Sequence, residues 1–458
     1  MYGAGPGGST GWWPPFLLSA VSAPRSGRGA STGLSHPLRN VAAMKVLHTS
    51  DWHLGRMFHG APLLGDQAQA LDRVVEVARA AEVDAVLVSG DLYDRAVPPA
   101  DAVDLLGDVL RRLTELGTRV VAITGNHDSP GRVGSLDPVL RDEVTLRGRF
   151  RPDTPVVVPD RAGGPDLVIH PVPYLEPLAA RTDERARVGR SRPGDAEDPG
   201  RSRRATQHQV LAHALDQVRA DLAARGAVRS VVVAHAFAAG AAPSASEREL
   251  SVGGVDRVPL EVFDGVHYAA LGHLHRPQAL TDRIAYAGSL LPYSFSETAP
   301  TSVRLVDVAA DGAVTAEVVP LGVGRSVTTL VGRLDELLVD PALASAEQAW
   351  VRARLTDEVL PRHAMARLRD RFPHAVVLEH DAPRGSASAD DIRTRGDEVT
   401  DLDLALAFVA ERLGRDADEA EVALLARAFD AAVAERRRDG EPLPAPALPA
   451  AGPAGAVA

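Results

Sequence analysis

From residue 45 onward, short β-branched apolar runs alternate with stretches of helical period. KVLHTS (45–50) is followed by a helix with Leu71, Val74, Val75 and Ala78 on one face, and then by AVLVSG (85–90), which makes a β-α-β unit. A second helix over about 100–117 leads to RVVAIT (119–124), and further apolar runs follow at DLVIHPV (166–172), SVVVA (230–234) and HYAALG (267–272). Runs that are apolar throughout, without alternation, are what strands covered on both faces look like. The pattern therefore predicts a layered α/β domain over 44–300.

Strand-like segments at 301–308 and 313–320 come next, then AWVRARL (349–355), a helix near 361–371 and HAVVLEH (374–380). These predict a second, smaller α+β unit over 301–390. Two amphipathic helices end the ordered chain as a hairpin over 396–436, with Leu402, Leu406, Val409 and Leu413 on one face and Val422, Leu425, Phe429 and Val433 on the other. Residues 437–458 are rich in Pro, Ala and Gly and are expected to be disordered. The same holds for 1–43, where Gly, Ser, Pro and Ala dominate without periodicity. WWPPFLLSAVSA (12–23) lacks a preceding basic residue and is broken by Pro14 and Pro15, so it is not read as a signal segment, and translation from Met44 would omit it. Gly3-x-Gly5-x-x-Gly8 and Gly7-x-Ser9-x-Gly11 follow no strand and carry no chemistry. Residues 181–204, with eight Arg against five acids, read as a charged, solvated insertion.

Composition narrows the chemistry. The 458 residues include no cysteine, which excludes disulfides, thiolate metal sites and cysteine nucleophiles. Any metal must bind through nitrogen and oxygen. Lys45 is the single lysine and follows Met44, so no P-loop of the Walker type exists and the chain cannot bind ATP in that way. The formal charge of −11 argues against a general nucleic-acid coat, because the far field repels phosphate; any DNA contact must be local. No apolar run is long enough to span a bilayer.

Five of the apolar runs end in side chains that ligate metals: Asp51 and His53 in SDWH, Asp91 in SGDLYD, Asn126 and His127 in TGNHD, His235 in VVVAH, and His273 and His275 in LGHLH. In α/β sheets ligands bind beyond the carboxyl ends of the strands, so these turns should converge. Glycines 90, 125 and 272 let the backbone bend beside them. Imidazole, carboxylate and amide without thiolate suit manganese, iron or zinc. Seven such groups exceed one tetrahedral site and fit two ions about 3.5–4 Å apart sharing a carboxylate, for which Asp91 is the natural bridge. That arrangement cleaves phosphate esters. His48, His59, His170, His208, His213 and His267 have no such company and are read as structural.

The ordered motifs DxH, GDxxD, GNHD, strand-borne His and GHxH resemble those of the calcineurin-like metallophosphoesterases, a layered α/β sandwich. Within that superfamily SDWHLG, GDLYD, GNHDS, ALGHLH and YAGSLLPYSFSE (286–297) resemble the SbcD-type nuclease subunits over residues 44 to about 435. The resemblance implies that Asp51, His53 and His275 hold one ion with Asp91, and Asn126, His235 and His273 the other. His127 would orient the phosphate or protonate the leaving oxygen; Asp94 would fix the substrate loop or cap a local turn; Asp128 would orient His127 or cap the next helix. It further implies manganese-dependent cleavage of double-stranded DNA ends and of hairpins, an SbcC-type ATPase partner docked on the helical hairpin, a DNA-positioning role for the second unit, and a homodimer within a heterotetramer. Small phosphodiesters or phosphomonoesters are the alternative substrates. A scaffold that has lost catalysis would be expected to have lost ligands, and none of the seven is missing.

Overall fold

The computed structural model describes residues 43–177, 205–247, 257–381, 400–413 and 415–438. The expected extension before residue 43, the insertion at 181–204 and the tail beyond 438 lie outside these residues.

The strands are β1 (Met44–Thr49), the short hairpin β2 (Met57–Phe58) and β3 (Ala61–Pro62), β4 (Ala85–Ser89), β5 (Arg119–Ile123), β6 (Val144–Arg147), β7 (Val156–Val158), β8 (Leu167–Val172), β9 (Arg229–His235), β10 (Tyr268–Gly272), β11 (Gln278–Ala279), β12 (Ile284–Tyr286), β13 (Ser302–Val308), β14 (Val314–Pro320), β15 (Val327–Gly332), β16 (Trp350–Leu355) and β17 (Ala375–His380). The helices are α1 (Leu64–Ala81), α2 (Ala100–Thr114), α3 (Pro130–Gly134), α4 (Gln207–Arg225), α5 (Leu334–Val339), α6 (Ala364–Arg371), α7 (Asp401–Leu413) and α8 (Glu419–Arg438).

Two six-stranded sheets form the first domain, in the orders β14-β13-β1-β4-β5-β6 and β11-β12-β10-β9-β8-β7. In the first, β1, β4, β5 and β6 run parallel and β13 and β14 extend the sheet antiparallel beyond β1; in the second, the four central strands run parallel and both edge strands are antiparallel. The inner faces pack on each other through Val46, Leu87 and Val121 of the first sheet and Ile169, Val231 and Val233 of the second. The first sheet's outer face is covered by α1 and α2 through Leu71, Val74, Val75, Leu106 and Val109. Outside the second lies α4, with Leu211, Leu215 and Val218. Each such side chain contributes roughly 1.5–3 kcal/mol by leaving water. The result is the expected layered α/β sandwich, four layers deep.

The continuous apolar character of β1, β4, β5, β9 and β10 follows from this burial on both faces. Helix α1 stops at Glu82, whose left-handed backbone (φ 49°) turns its N–H back onto the Ala78 and Arg79 carbonyls. Helix α4, which periodicity did not single out, starts at a capping box: the Thr206 hydroxyl accepts from Gln209 N and the Gln209 side chain accepts from Thr206 N. His48 crosses between the sheets, with Nδ1 3.0 Å from the Tyr268 hydroxyl and Nε2 3.2 Å from the Leu271 carbonyl oxygen.

The domain boundary expected at 300 moves. β13 pairs antiparallel with β1, from Met44 opposite Val308 to His48 opposite Arg304, and β14 extends the same sheet. The first sheet thus continues to Pro320, because the outer edge of β1 needs a partner for its backbone groups and β13 supplies it. The second unit begins at β15: strands β15, β16 and β17 form a parallel sheet with α5 and α6, around Leu330, Leu334, Val351, Leu355, Leu368 and Phe372. Helices α7 and α8 pack on one another, with Leu402, Leu406, Val409, Val422, Leu425 and Phe429 half-buried and Phe408 and Leu424 exposed.

Candidate metal centre

The side chains at the five strand ends come from both sheets. Asp51 and His53 follow β1, Asp91 follows β4 and Asn126 follows β5; His235 ends β9, and His273 and His275 follow β10. Their turns are unusual. Asp51 (φ 51°), His53 (φ 45°), Asp91 (φ 47°) and His273 (φ 105°) all have left-handed backbones, a conformation that costs a non-glycine residue about 1 kcal/mol or more. Backbone bonds between the loops offset part of this: Asp51 N–H donates to Gly90 O at 3.1 Å, His53 N–H to Asp91 O at 2.9 Å and Leu54 N–H to Leu92 O at 3.0 Å.

Gly125 and Gly272 serve close approach more than bending. A Cβ on Gly125 would stand 2.2 Å from Asp91 Oδ1, and one on Gly272 would stand 1.8 Å from the Ser89 carbonyl oxygen.

The seven groups meet. His53 Nε2 lies 3.1 Å from His275 Nε2 and 3.5 Å from Asp91 Oδ2. On the other side of Asp91, the same Oδ2 is 3.6 Å from His235 Nε2, whose neighbour Asn126 Oδ1 is 2.9 Å away. Asn126 Oδ1 is also 3.3 Å from His273 Nδ1. Asp51 accepts from His273 N–H at 3.0 Å and approaches His235 Nδ1 at 4.0 Å. Asp91 therefore sits between two groups of nitrogens, where a shared ligand belongs. Ligand atoms of Asp51, His53 and His275, of His53, Asp91 and His127, and of Asp51, Asp91 and His235 each lie within 4.8 Å of one another.

Burial sets the electrostatics. It drives His53 and His273 well below the usual imidazole pKa and lowers His235 as well, despite the opposing pull of Asp51 on the latter. These rings are neutral lone-pair donors. His235 Nδ1 is 2.9 Å from the Ser89 carbonyl oxygen, an acceptor, so the proton sits there and Nε2 presents its lone pair. Asp91 is pushed well above the carboxylate range by burial and by Asp128 and Asp51, with the bond from His127 N–H opposing. For His275, burial pulls downward but Glu297 with Asp51 and Glu247 raises the ring above its usual value.

This donor set fits divalent cations. Two imidazole nitrogens at about 2.1 Å from one ion and about 90° apart are roughly 3.0 Å from each other, which matches the 3.1 Å between His53 and His275. Cations would also relieve the crowding of buried carboxylates around Asp91.

His127 stands at the edge of this group. Its ring meets that of His53 edge-on at 4.7 Å, and its Nδ1 donates to the Asp94 carbonyl oxygen at 2.9 Å, leaving the lone pair on Nε2. The Asp94 carboxylate contacts Arg56 Nη1 at 3.0 Å and faces His53 Nδ1 at 3.6 Å. Asp128 does not cap the next helix. Its carboxylate accepts from Leu92 N, Tyr93 N and Gly125 N at 3.0, 3.0 and 2.9 Å, tying the Asp91 loop to the Asn126 loop, and the helix after Ser129 has no side-chain cap.

Several supporting residues escaped sequence reasoning. Gln67, buried on α1, donates to the Trp52 and His53 carbonyl oxygens and accepts from Gly55 N–H, which fixes the DxH turn. Tyr293 donates to Trp52 O at 2.6 Å and packs edge-on against His53 and His275. Glu297 lies beside His275; burial would raise its pKa, but bonds from His275, Ser246 and Tyr293 draw it down to about 2. A polar residue on the buried face of α1 was the one readable sign, for Gln67.

A pair of buried imidazole groups bridged by a carboxylate, on strand ends of a double-sheet sandwich, defines a metal-dependent phosphoester hydrolase with two divalent ions. Residues 44–277 match the calcineurin-like phosphoesterase family, and the chain belongs to that family. Among solved structures it is similar to a protein of Thermus thermophilus (14% identity, TM-score 0.33, covering 60% of this chain and 99% of that one). It is also similar to a dimetal phosphatase from Danio rerio (14%, TM-score 0.34, 61% and 100%) and to GAP50, the anchor in the inner membrane complex of Plasmodium (10%, TM-score 0.34, 76% and 99%). Among the described residues no helix is long and apolar enough to cross a membrane.

Proposed function

We propose that this phosphoesterase is a cytoplasmic nuclease of the SbcD type. It would degrade double-stranded DNA from its ends in the 3′ to 5′ direction and cut single-stranded and hairpin DNA, using manganese and an SbcC-type ATPase, in DNA recombination, replication and repair. The observation that carries this reading is the loop 286–297, whose sequence resembles that of the SbcD-type enzymes and which bridges the metal centre and the second unit. On one side its Tyr293 packs on His53 and His275; on the other its Phe295 lies under the Arg352 guanidinium of β16, 4.5 Å from the ring centroid. Trp350 of β16 packs on Phe58 of the β2–β3 hairpin, 5.5 Å between ring centroids. A unit joined this closely to the catalytic loop is suited to steering a long polymeric substrate.

Two divalent ions, when bound, supply positive charge to the phosphate oxygens and lower the pKa of water at the site. Asp51, His53 and His275 would hold one, Asn126, His235 and His273 the other, and Asp91 both. His127, its Nδ1–H held by the Asp94 carbonyl, turns Nε2 toward the substrate; a proton taken up at Nε2 from solvent would make the imidazolium, which would then pass that proton to the leaving oxygen. Asp94 pairs with Arg56 and sets a negative charge beside the His53 ring. The exposed Phe408 and Leu424 of the α7–α8 hairpin support docking of a coiled-coil partner. A homodimer within a heterotetramer is part of the proposal.

The test is cleavage by the purified chain with Mn²⁺, with and without its ATPase, of blocked-end and hairpin DNA against a small chromogenic diester. Cleavage of blocked ends that requires the ATPase and ATP supports the proposal. Activity confined to small phosphoesters overturns it and favours the second reading, a phosphoesterase for small substrates, with which the net charge of −11 agrees.

A further inference from the structure

Glu297 comes from the loop after β12, far in sequence from every ligand except those near 275, yet it is almost completely buried beside one of them. Its Oε1 accepts from Ser244 Oγ at 2.7 Å and from Ser246 Oγ, and lies 3.5 Å from His275 Nδ1; its Oε2 accepts from Tyr293 N–H at 2.8 Å. The Ser246 hydroxyl oxygen is itself 2.6 Å from His275 Nδ1. Since Ser246 spends its proton on the carboxylate, its oxygen is the acceptor toward the ring. The relay therefore runs from His275 Nδ1–H through Ser246 to Glu297, and places the ring's lone pair on Nε2, facing His53. Glu247 completes the clamp by accepting from His275 N–H at 2.8 Å.

The other half of the centre is supported differently. His235 Nδ1 donates to a neutral backbone carbonyl, that of Ser89. An imidazole whose distal N–H is directed to a carboxylate is more basic and better oriented than one bonded to a carbonyl.

We propose that Glu297, acting through Ser246, is a positioning residue that makes the ion at Asp51, His53 and His275 the more tightly held of the two. The inference rests on the assignment of the seven ligands, and stands whichever phosphoester is cleaved.

The experiment is a Mn²⁺ titration of the full-length chain, with free ion read by electron paramagnetic resonance. The wild type should bind two ions in two separated steps. Glu297→Gln should weaken the tighter step by about 10–100-fold and leave the weaker step nearly unchanged, so that the two steps merge. Ser246→Ala, a half-buried position, should act in the same direction to a smaller extent. Equal weakening of both steps, as general loosening would give, overturns the proposal, as does wild-type binding by Glu297→Gln. Should Glu297→Gln fail to fold, Ser246→Ala decides, and unchanged binding there overturns it. A wild type that binds no ion at all instead refutes the ligand assignment itself.

Discussion

His53 Nε2 and His275 Nε2 face each other across 3.1 Å, although one follows β1 and the other β10, in different sheets. Two ring nitrogens that close must share something positive, either a proton, which the raised His275 ring can carry, or a cation. A cation bound there would tie metal binding to folding.

Metal binding should accordingly raise stability. At an ion concentration 100 times Kd, Mn²⁺ is expected to add about 2.7 kcal/mol to the unfolding free energy. Thermal unfolding with and without chelator measures this; in His53→Ala the gain should shrink, and an undiminished gain there would place the ion elsewhere.

Loss of the His127 ring should spare the ions and harm turnover. His127→Ala is expected to lower kcat by roughly 10²–10⁴-fold while metal content and unfolding midpoint stay near wild type, because the ring lies at the edge of the group. Steady-state kinetics alongside elemental analysis separates the two effects. A variant with full activity would remove His127 from proton transfer.

Gly125→Ala tests the contact between the Asp91 and Asn126 loops. The new methyl would fall 2.2 Å from Asp91 Oδ1 and 2.5 Å from Asp91 N, so a backbone segment must move. A loss of roughly 1–3 kcal/mol in urea unfolding is expected from such overpacking, with weakened metal binding. Gly131→Ala, where the added carbon meets nothing, is the control and should be nearly silent.

His48 predicts a pH dependence. Burial, helped by Arg304, lowers its pKa from 6.5 to about 3, so the folded state keeps the ring neutral while the unfolded chain protonates it. The sign follows: the stability is fully present above pH 6.5 and is lost as pH falls toward 3, at up to about 1.4 kcal/mol per pH unit for this ring. His48→Gln should flatten that part of the urea-midpoint profile. An unaltered slope would mean that other groups carry the acid sensitivity.

That these seven side chains gather was legible because each stands where an apolar run stops, and that boundary is visible without knowing which sheet the strand joins. Sheet membership was not legible. β1 and β9 are equally apolar since both are covered on both faces, so nothing in their composition separates them into two sheets. β13 looked like part of a second unit because it follows the last ligand-bearing strand in sequence, although its partner is β1 at the other end of the domain. Helix α4 escaped notice because its alanines and His213 blur the apolar stripe; the Thr206/Gln209 capping box was its clearer sign. The roles of Asp128 and Glu297 were beyond reach for a different reason. Their partners are backbone amides and serine hydroxyls, groups so common that no spacing marks them.

Dividing the ligands between the sheets ties chemistry to the completion of folding. Asp51, His53, Asp91 and Asn126 on one half bring too few imidazoles, and His235, His273 and His275 on the other bring no carboxylate. On the proposed ligand assignment neither sheet alone could complete the pair of ion sites, so hydrolysis would have to wait for the two sheets to dock, and the finished sandwich would be its own safety catch.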